Sequence, residues 1–216
     1  MTYPRVPAAE TRVEMRVVNS RFIASLAPAF GVEAARAFIA RIEEEFSDAS
    51  HNVPAFLIGH GASVIAHCSD DGEPSGTAGR PALAVLRGSG LGDVVVVVTR
   101  YFGGTKLGTG GLVRAYSDAV REVLRVTPLA EKVATHTLLM ATPYALFEPV
   151  RLLIERHGGQ ILEEDFAADV TITAQVAVDR FPAFQQALRD LSGGTVEALV
   201  MSTDPATLMP LSSASA

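Results

Sequence analysis

The sequence has one cysteine, Cys68, among 216 residues, which rules out an internal disulfide and any zinc site built from several cysteines. That usage fits a reducing compartment, and the lone thiol reads as an inert packing residue. Long apolar runs are lacking too. No window approaches about eighteen uninterrupted apolar residues, and residues 1–10 carry two prolines and no apolar stretch of signal-peptide length. These features predict a cytoplasmic protein with no membrane segment. Positive charge in bulk is missing: the net charge is −6, which argues against a protein that coats nucleic acid by charge alone. Neither Gly-x-Ser-x-Gly nor His-Glu-x-x-His occurs, and His51, His60, His67, His136 and His157 show no metal-ligand spacing. The residues therefore give nucleophilic catalysis no support, and no metal or cofactor is expected.

What is present is apolar content sufficient for one large or two modest domains, at 48% of the chain. Residues 31–46 predict a helix, because Val32, Ala35, Ile39, Ile42 and Phe46 recur at intervals of three and four. Strand character ends at 20–24 and returns at 55–59, with 63–67 expected beside it. Pro81 suits the start of a short helix that Gly88 ends. Residues 94–98 are five consecutive valines, and a strand with no polar face should be central and covered on both sides. Leu112, Tyr116, Ala119, Val120 and Val123 then mark the buried face of another helix, with Arg114, Asp118, Arg121 and Arg125 on the wet face. After Pro128 the pattern changes. The order beyond it reads βαββαβ, a ferredoxin-like arrangement. The expected organisation is an α+β chain with an N-terminal domain over 1–130, a ferredoxin-like domain over 131–203 and a disordered tail over 204–216, rich in Ser, Ala and Pro.

Two Gly-rich loops flank the valine strand. The first, 70–80, carries Asp70, Asp71 and Glu73, with Ser75 and Thr77 beside glycine; the second, 103–111, carries Lys106 and follows Arg100. Within 99–126 five cations stand against two carboxylates, a local excess of three positive charges in an acidic chain. A helix that starts on Gly108-Thr109-Gly110-Gly111 presents free N–H groups and the positive end of its dipole, an anion site to which Arg100, Lys106 and Arg114 add charge. It suits a phosphate or an RNA backbone. The nucleotide fingerprints are not met, since Lys106 precedes Leu107 rather than Ser or Thr, and Val113 stands where a dinucleotide loop has its third glycine. A plainer reading is that the glycines only permit a tight crossover. The acidic loop has its own alternatives: it holds Mg²⁺ through Asp70, Asp71 and Glu73, pairs with Arg100 and Lys106, or is a solvated turn. Ser75 and Thr77 either donate to a phosphate or cap the Pro81 helix.

The runs Ser20-Arg21-Phe22-Ile23-Ala24, Asp48-Ala49-Ser50-His51, Asp70-Asp71-Gly72-Glu73-Pro74-Ser75-Gly76-Thr77-Ala78-Gly79, Arg100-Tyr101-Phe102-Gly103-Gly104 and Leu107-Gly108-Thr109-Gly110-Gly111-Leu112-Val113-Arg114-Ala115-Tyr116 resemble the IMPACT/YigZ family, bacterial two-domain type, over residues 16–125. The resemblance adds His51 to the candidate residues of the second loop. It implies an N-terminal left-handed βαβ domain of the type shared with ribonuclease PH and certain ribosomal proteins. It also implies a C-terminal domain similar to the last domain of elongation factor G, so both parts point to RNA or the ribosome as partner. Eukaryotic relatives look like translation regulators that compete for the ribosome-associated activator of a starvation-activated kinase. They do so through a further domain of a kind this sequence does not carry, so that partner is not carried over. Relatives commonly have a cysteine two positions after the motif histidine. Val53 stands there, which excludes a catalytic thiol, and the dipeptidase activity ascribed to some relatives finds no metal-ligand cluster in these residues.

These readings lead to a non-enzymatic RNA- or ribosome-binding factor that modulates translation. The alternative is a Mg²⁺-dependent enzyme acting on a phosphorylated small molecule or an RNA end. A third reading puts an unidentified protein partner on the ferredoxin-like sheet or on the Arg114/Arg121 helix face.

Overall fold

The structure, a computed structural model, describes residues 3–61 and 63–210. The chain divides into two units, Met1–Glu131 and Lys132–Ala216. The first runs through β1 (Arg5–Pro7), β2 (Thr11–Val17), β3 (Ser20–Pro28), α1 (Val32–Glu45), β4 (His51–Ile58), β5 (Ile65–Cys68), α2 (Gly79–Gly88), β6 (Val94–Tyr101) and α3 (Gly108–Val126) to the first residues of β7 (Leu129–Thr142). The second continues with the rest of β7, then α4 (Tyr144–Arg156), β8 (Gln160–Phe166), β9 (Val170–Ala177), α5 (Phe181–Ser192) and β10 (Leu199–Pro210). Both sheets have antiparallel pairings, and the architecture is α+β. Among the described residues no helix is long and apolar enough to cross a membrane.

In the first unit the strand order is β2-β3-β6-β4-β5, so the valine strand β6 is the middle one. Alternation along a strand sends successive side chains to opposite faces. Val94, Val96 and Val98 accordingly pack with Ala82 and Leu86 of α2 and with Leu112, Ala115, Tyr116, Ala119, Val120 and Val123 of α3. Val95 and Val97 pack with Ala35, Phe38 and Ile42 of α1 on the other face. All five are fully buried, which is why no polar residue interrupts the run. The α3 helix stops at Thr127, whose Oγ1 donates to the Val123 carbonyl at 2.7 Å and whose backbone is extended, as a residue before proline prefers.

Several boundaries differ from the sequence expectation: strand β3 begins at Ser20 and runs to Pro28, where strand character is expected to end at 20–24. Strand β4 starts at His51, four residues before the apolar run, because His51 to Pro54 continue the register on β6 from Arg100 to Val97. Helix α2 starts at Gly79, two residues before Pro81, because the Asp70 carboxylate supplies an acceptor for its first N–H groups. The tail expected over 204–216 is corrected as far as Pro210. These residues belong to β10, which pairs with β7, and the rest of the tail lies outside the described residues.

In the second unit β9 lies between β7 and β8, and β10 pairs with β7, in the element order β-α-β-β-α-β. Leu138 and Met140 of β7, Val150 and Ile154 of α4, Ile172, Ala174 and Val176 of β9, and Phe184 and Leu188 of α5 form its core. Strand β10 carries Pro205 and Pro210, which an edge strand tolerates because only one side of its backbone is hydrogen-bonded. It is fixed by side chains as well: Thr207 Oγ1 bonds Thr135 Oγ1 at 2.6 Å, and Thr203 Oγ1 bonds His136 Nδ1 at 2.9 Å.

Candidate functional site

The row of side chains that takes Val94, Val96 and Val98 toward α3 next takes Arg100, two residues on. Arg100 is therefore an inward-facing arginine, with 5% of its surface exposed. A buried guanidinium requires a counter-charge, and the acidic loop supplies it. Arg100 Nη1 donates to Glu73 Oε1 at 2.6 Å, and Glu73 is itself buried. The Tyr116 hydroxyl donates to the same oxygen at 2.8 Å, and Arg100 Nη2 donates to Ser20 Oγ at 3.2 Å. The guanidinium also sits 5.5 Å from the ring centres of Phe22 and Phe102, while its Nε finds no partner among the described residues. Burial first, and the neighbouring Glu73 charge next, push the Tyr116 phenol far above its ordinary range, so it stays a donor. The acidic loop thus meets the end of β6, where the basic loop begins, through a buried ion pair held under α3.

His51, opposite Arg100 in the β4–β6 register, closes this cluster at its outer side. Its Nδ1 lies 2.6 Å from the Asp71 carbonyl oxygen, so Nδ1 carries the proton. Its Nε2 is 3.9 Å from Glu73 Oε2, too far for a direct hydrogen bond. The other two carboxylates are committed elsewhere. Asp71 Oδ2 accepts the Asn52 N–H at 2.6 Å, and Asp70 accepts from the N–H groups of Gly76, Ala78 and Gly79 at 2.7, 3.1 and 2.8 Å.

Burial raises the pKa of Asp70, but the three N–H donors and Arg80 outweigh that and hold it below the usual aspartate value. Its stabilising contribution is complete above the unfolded aspartate range and is lost as the pH falls below about 4. Asp70→Ala should cost about 1–2 kcal/mol by removing the acceptor of the first N–H groups of α2. Urea denaturation at pH 7 and pH 3 measures it, and the gap between wild type and variant should shrink at the lower pH.

Several assignments made from the sequence are corrected by these positions. Arg100 is a buried ion-pair partner and offers no exposed charge to a phosphate. Asp70, Asp71 and Glu73 do not converge on a cation, since each accepts from different protein donors, and among the described residues no group of three His, Cys, Asp or Glu side chains could hold a metal ion. Thr77 is buried and its Oγ1 donates to the Pro74 carbonyl at 2.6 Å, so neither it nor the exposed Ser75 caps α2. Cys68 is partly buried, and burial raises its thiol pKa, which agrees with an inert packing residue. Tyr116, read only as a core residue, and Ser20 were not among the site candidates from the sequence. A tyrosine at a core-facing helix position was the available signal, because a buried phenol seeks a hydrogen-bond partner.

The remaining candidates gather at the start of α3. Lys106, Gly108, Thr109, Gly110 and Arg114 are exposed and Gly111 is partly so. No side chain caps this helix, so its first N–H groups remain open. Among the described residues neither Lys106 nor Arg114 makes an ion pair. A methyl group added at Gly110 would meet nothing within 4 Å, so packing does not account for that glycine. The arrangement is an open, positively flanked set of backbone donors.

Comparison with known proteins covers both units. Residues 18–124 match the Impact N-terminal domain, and residues 140–195 match a domain of unknown function (DUF1949). The chain is 38% identical over 197 residues to the protein called IMPACT family member YigZ of Escherichia coli K12, which covers 91% of this chain and 97% of that one. It is also 38% identical over 190 residues to an IMPACT family member of Haemophilus influenzae, covering 88% of this chain and 92% of that one. A crystal structure described as that of a hypothetical protein is 37% identical, with a TM-score of 0.61 over 94% of this chain and 98% of that chain.

Proposed function

The chain belongs to the IMPACT family, and on that premise we propose that it is a non-enzymatic factor that modulates translation by binding RNA or the ribosome through the start of α3. The observation that carries this reading is the uncapped N-terminus of α3, exposed between the unpaired cations Lys106 and Arg114. Backbone N–H groups and a positive helix end bind phosphate without a side-chain nucleophile or a metal. Gly108 and Gly110 let a phosphate approach the backbone, and Thr109 adds a hydroxyl. The likeness to parts of RNA- and ribosome-binding proteins that the family resemblance implies for both domains supports the translational context.

Two phosphate contacts on a single strand imply a log–log salt slope of about −1.4. Wild-type affinity for single-stranded RNA should therefore fall roughly sevenfold between about 50 and 200 mM salt. The Lys106→Ala/Arg114→Ala variant should bind more weakly and lose most of that slope, since both side chains are exposed and unpaired and their removal leaves the fold intact. Co-sedimentation with ribosomes at the same two salt concentrations gives the second readout. A wild type that binds neither RNA nor ribosomes, or whose binding ignores both salt and the double substitution, ends this reading.

A further inference from the structure

The wet face of α3 carries Arg121 and Arg125 beyond the proposed phosphate contacts, and a cleft of about 950 Å³ opens beside it, between α2 and α3. All its lining residues belong to the first unit. Val85, Leu124 and Leu129 contribute apolar walls, Arg80, Arg121 and Arg125 contribute three positive charges, and no carboxylate lines it. That volume lies at the upper end of the range of small-molecule sites, which run from roughly 300 to 1,000 Å³ and are mostly apolar with a few convergent polar groups.

The cleft exists because small residues stand where large ones would close it. On α2, Arg80 is followed at one-turn intervals by Ala84 and Gly88, so one face of the helix carries a charge and then almost no side chain. A methyl group added at Gly88 would meet nothing within 4 Å. On α3, Val113, Ser117 and Arg121 share the facing stripe at the same spacing. Ser117 is the telling residue. It is 8% exposed, it lines the cleft, and its hydroxyl makes no hydrogen bond among the described residues. A serine on the core-facing side of a helix ordinarily bonds the carbonyl a turn earlier or is replaced by alanine; here the hydroxyl opens into the cleft and is free to donate to a bound group.

The charges are equally available. Arg121 pairs with Asp118 and Arg125 with Glu122, but on exposed positions of their own helix, where such pairs contribute little and exchange readily. Arg80 makes no ion pair among the described residues.

We propose that this cleft binds a small amphipathic anion, its apolar body along Val85, Leu124 and Leu129 and its phosphate or carboxylate head among Ser117, Arg121 and Arg80. The site is separate from the exposed start of α3, and the proposal stands independently of RNA binding.

Calorimetric titration of the full chain with decyl phosphate, decanoate, 1-decanol and inorganic phosphate, each below micelle formation, tests it. One equivalent of decyl phosphate or decanoate should bind, and 1-decanol and inorganic phosphate should bind at least about tenfold more weakly. Preference for decyl phosphate over decanoate identifies a phosphate head, and the reverse a carboxylate. Arg80→Gln/Arg121→Gln should weaken anion binding about tenfold or more. Ala84→Phe, which fills the cleft from an exposed position, should abolish it without lowering the melting temperature. Equal binding of 1-decanol, or anion binding that neither variant changes, overturns the proposal. So does failure of both anions to bind up to about 1 mM, and in that case binding of an acidic amphipathic peptide would assign the cleft to a protein segment instead.

Discussion

Arg100→Ala should destabilise the first unit by about 3–5 kcal/mol, the cost of removing one partner of a buried ion pair and leaving the other without compensation. The size follows from what remains around Glu73. Its carboxylate is buried, the alanine variant keeps only the Tyr116 hydroxyl as a donor to it, and His51 Nε2 stands too far away to replace the guanidinium. Arg100→Lys should rescue only part of the loss, because an ammonium cannot reach Glu73 and Ser20 together while filling the space between Phe22 and Phe102. The triple change Arg100→Met/Glu73→Leu/Tyr116→Phe should recover most of it, since replacing a whole buried polar cluster with apolar groups of similar volume is often close to neutral. Urea midpoints at unchanged m-value measure all three. An exposed phosphate-binding arginine would behave in the opposite way: Arg100→Ala would then weaken RNA binding and leave the midpoint where it was.

The same residue shows how far the sequence could be read. Five valines announce a central strand from composition alone, and the structure agrees that β6 is covered on both faces. Alternation carried two residues past Val98 would also have turned Arg100 inward, but its place at the strand end beside the basic loop made it look like added charge for an anion site. Its pairing with the acidic loop was one of three alternatives in the sequence, and no local rule could single out Glu73, because that residue lies 27 positions away and only the register of β4 on β6 brings the two together. For the same reason Mg²⁺ binding by Asp70, Asp71 and Glu73 stood among the alternatives beside a solvated turn. Spacing along the chain says nothing about donors that arrive from β4, from the start of α2 and from α3. Proline misled at the other end. Pro205 and Pro210 argued for a tail, yet an edge strand beside β7 accommodates both. The long helices were plain throughout, since the three-to-four spacing of their apolar residues is a local property.

Gly103 and Gly110 belong to one loop-helix segment, and alanine at the two positions should have opposite effects. A methyl group at Gly103 would overlap the backbone carbonyl of Asn19, in the turn between β2 and β3, and no side-chain rotation relieves a clash with backbone. Gly103→Ala must push the β6–α3 loop away from that turn. The push would disturb the bond from Asn19 Nδ2 to Thr105 Oγ1 and the weak contact of the Gly103 N–H with Ser20 Oγ, the serine that also holds Arg100. The expected cost is about 2–3 kcal/mol, at the upper part of the usual range for overpacking. Gly110 has an ordinary helical backbone and open space where a methyl group would go, so Gly110→Ala should raise stability by roughly 0.5–1 kcal/mol through helix propensity alone. The functional consequence separates the two readings of the glycines. If they serve only the crossover, Gly110→Ala binds RNA as well as wild type. If the start of α3 receives phosphate on its bare backbone, the stabilised variant should bind single-stranded RNA several-fold more weakly, a loss of activity with a gain of stability that no folding defect can imitate.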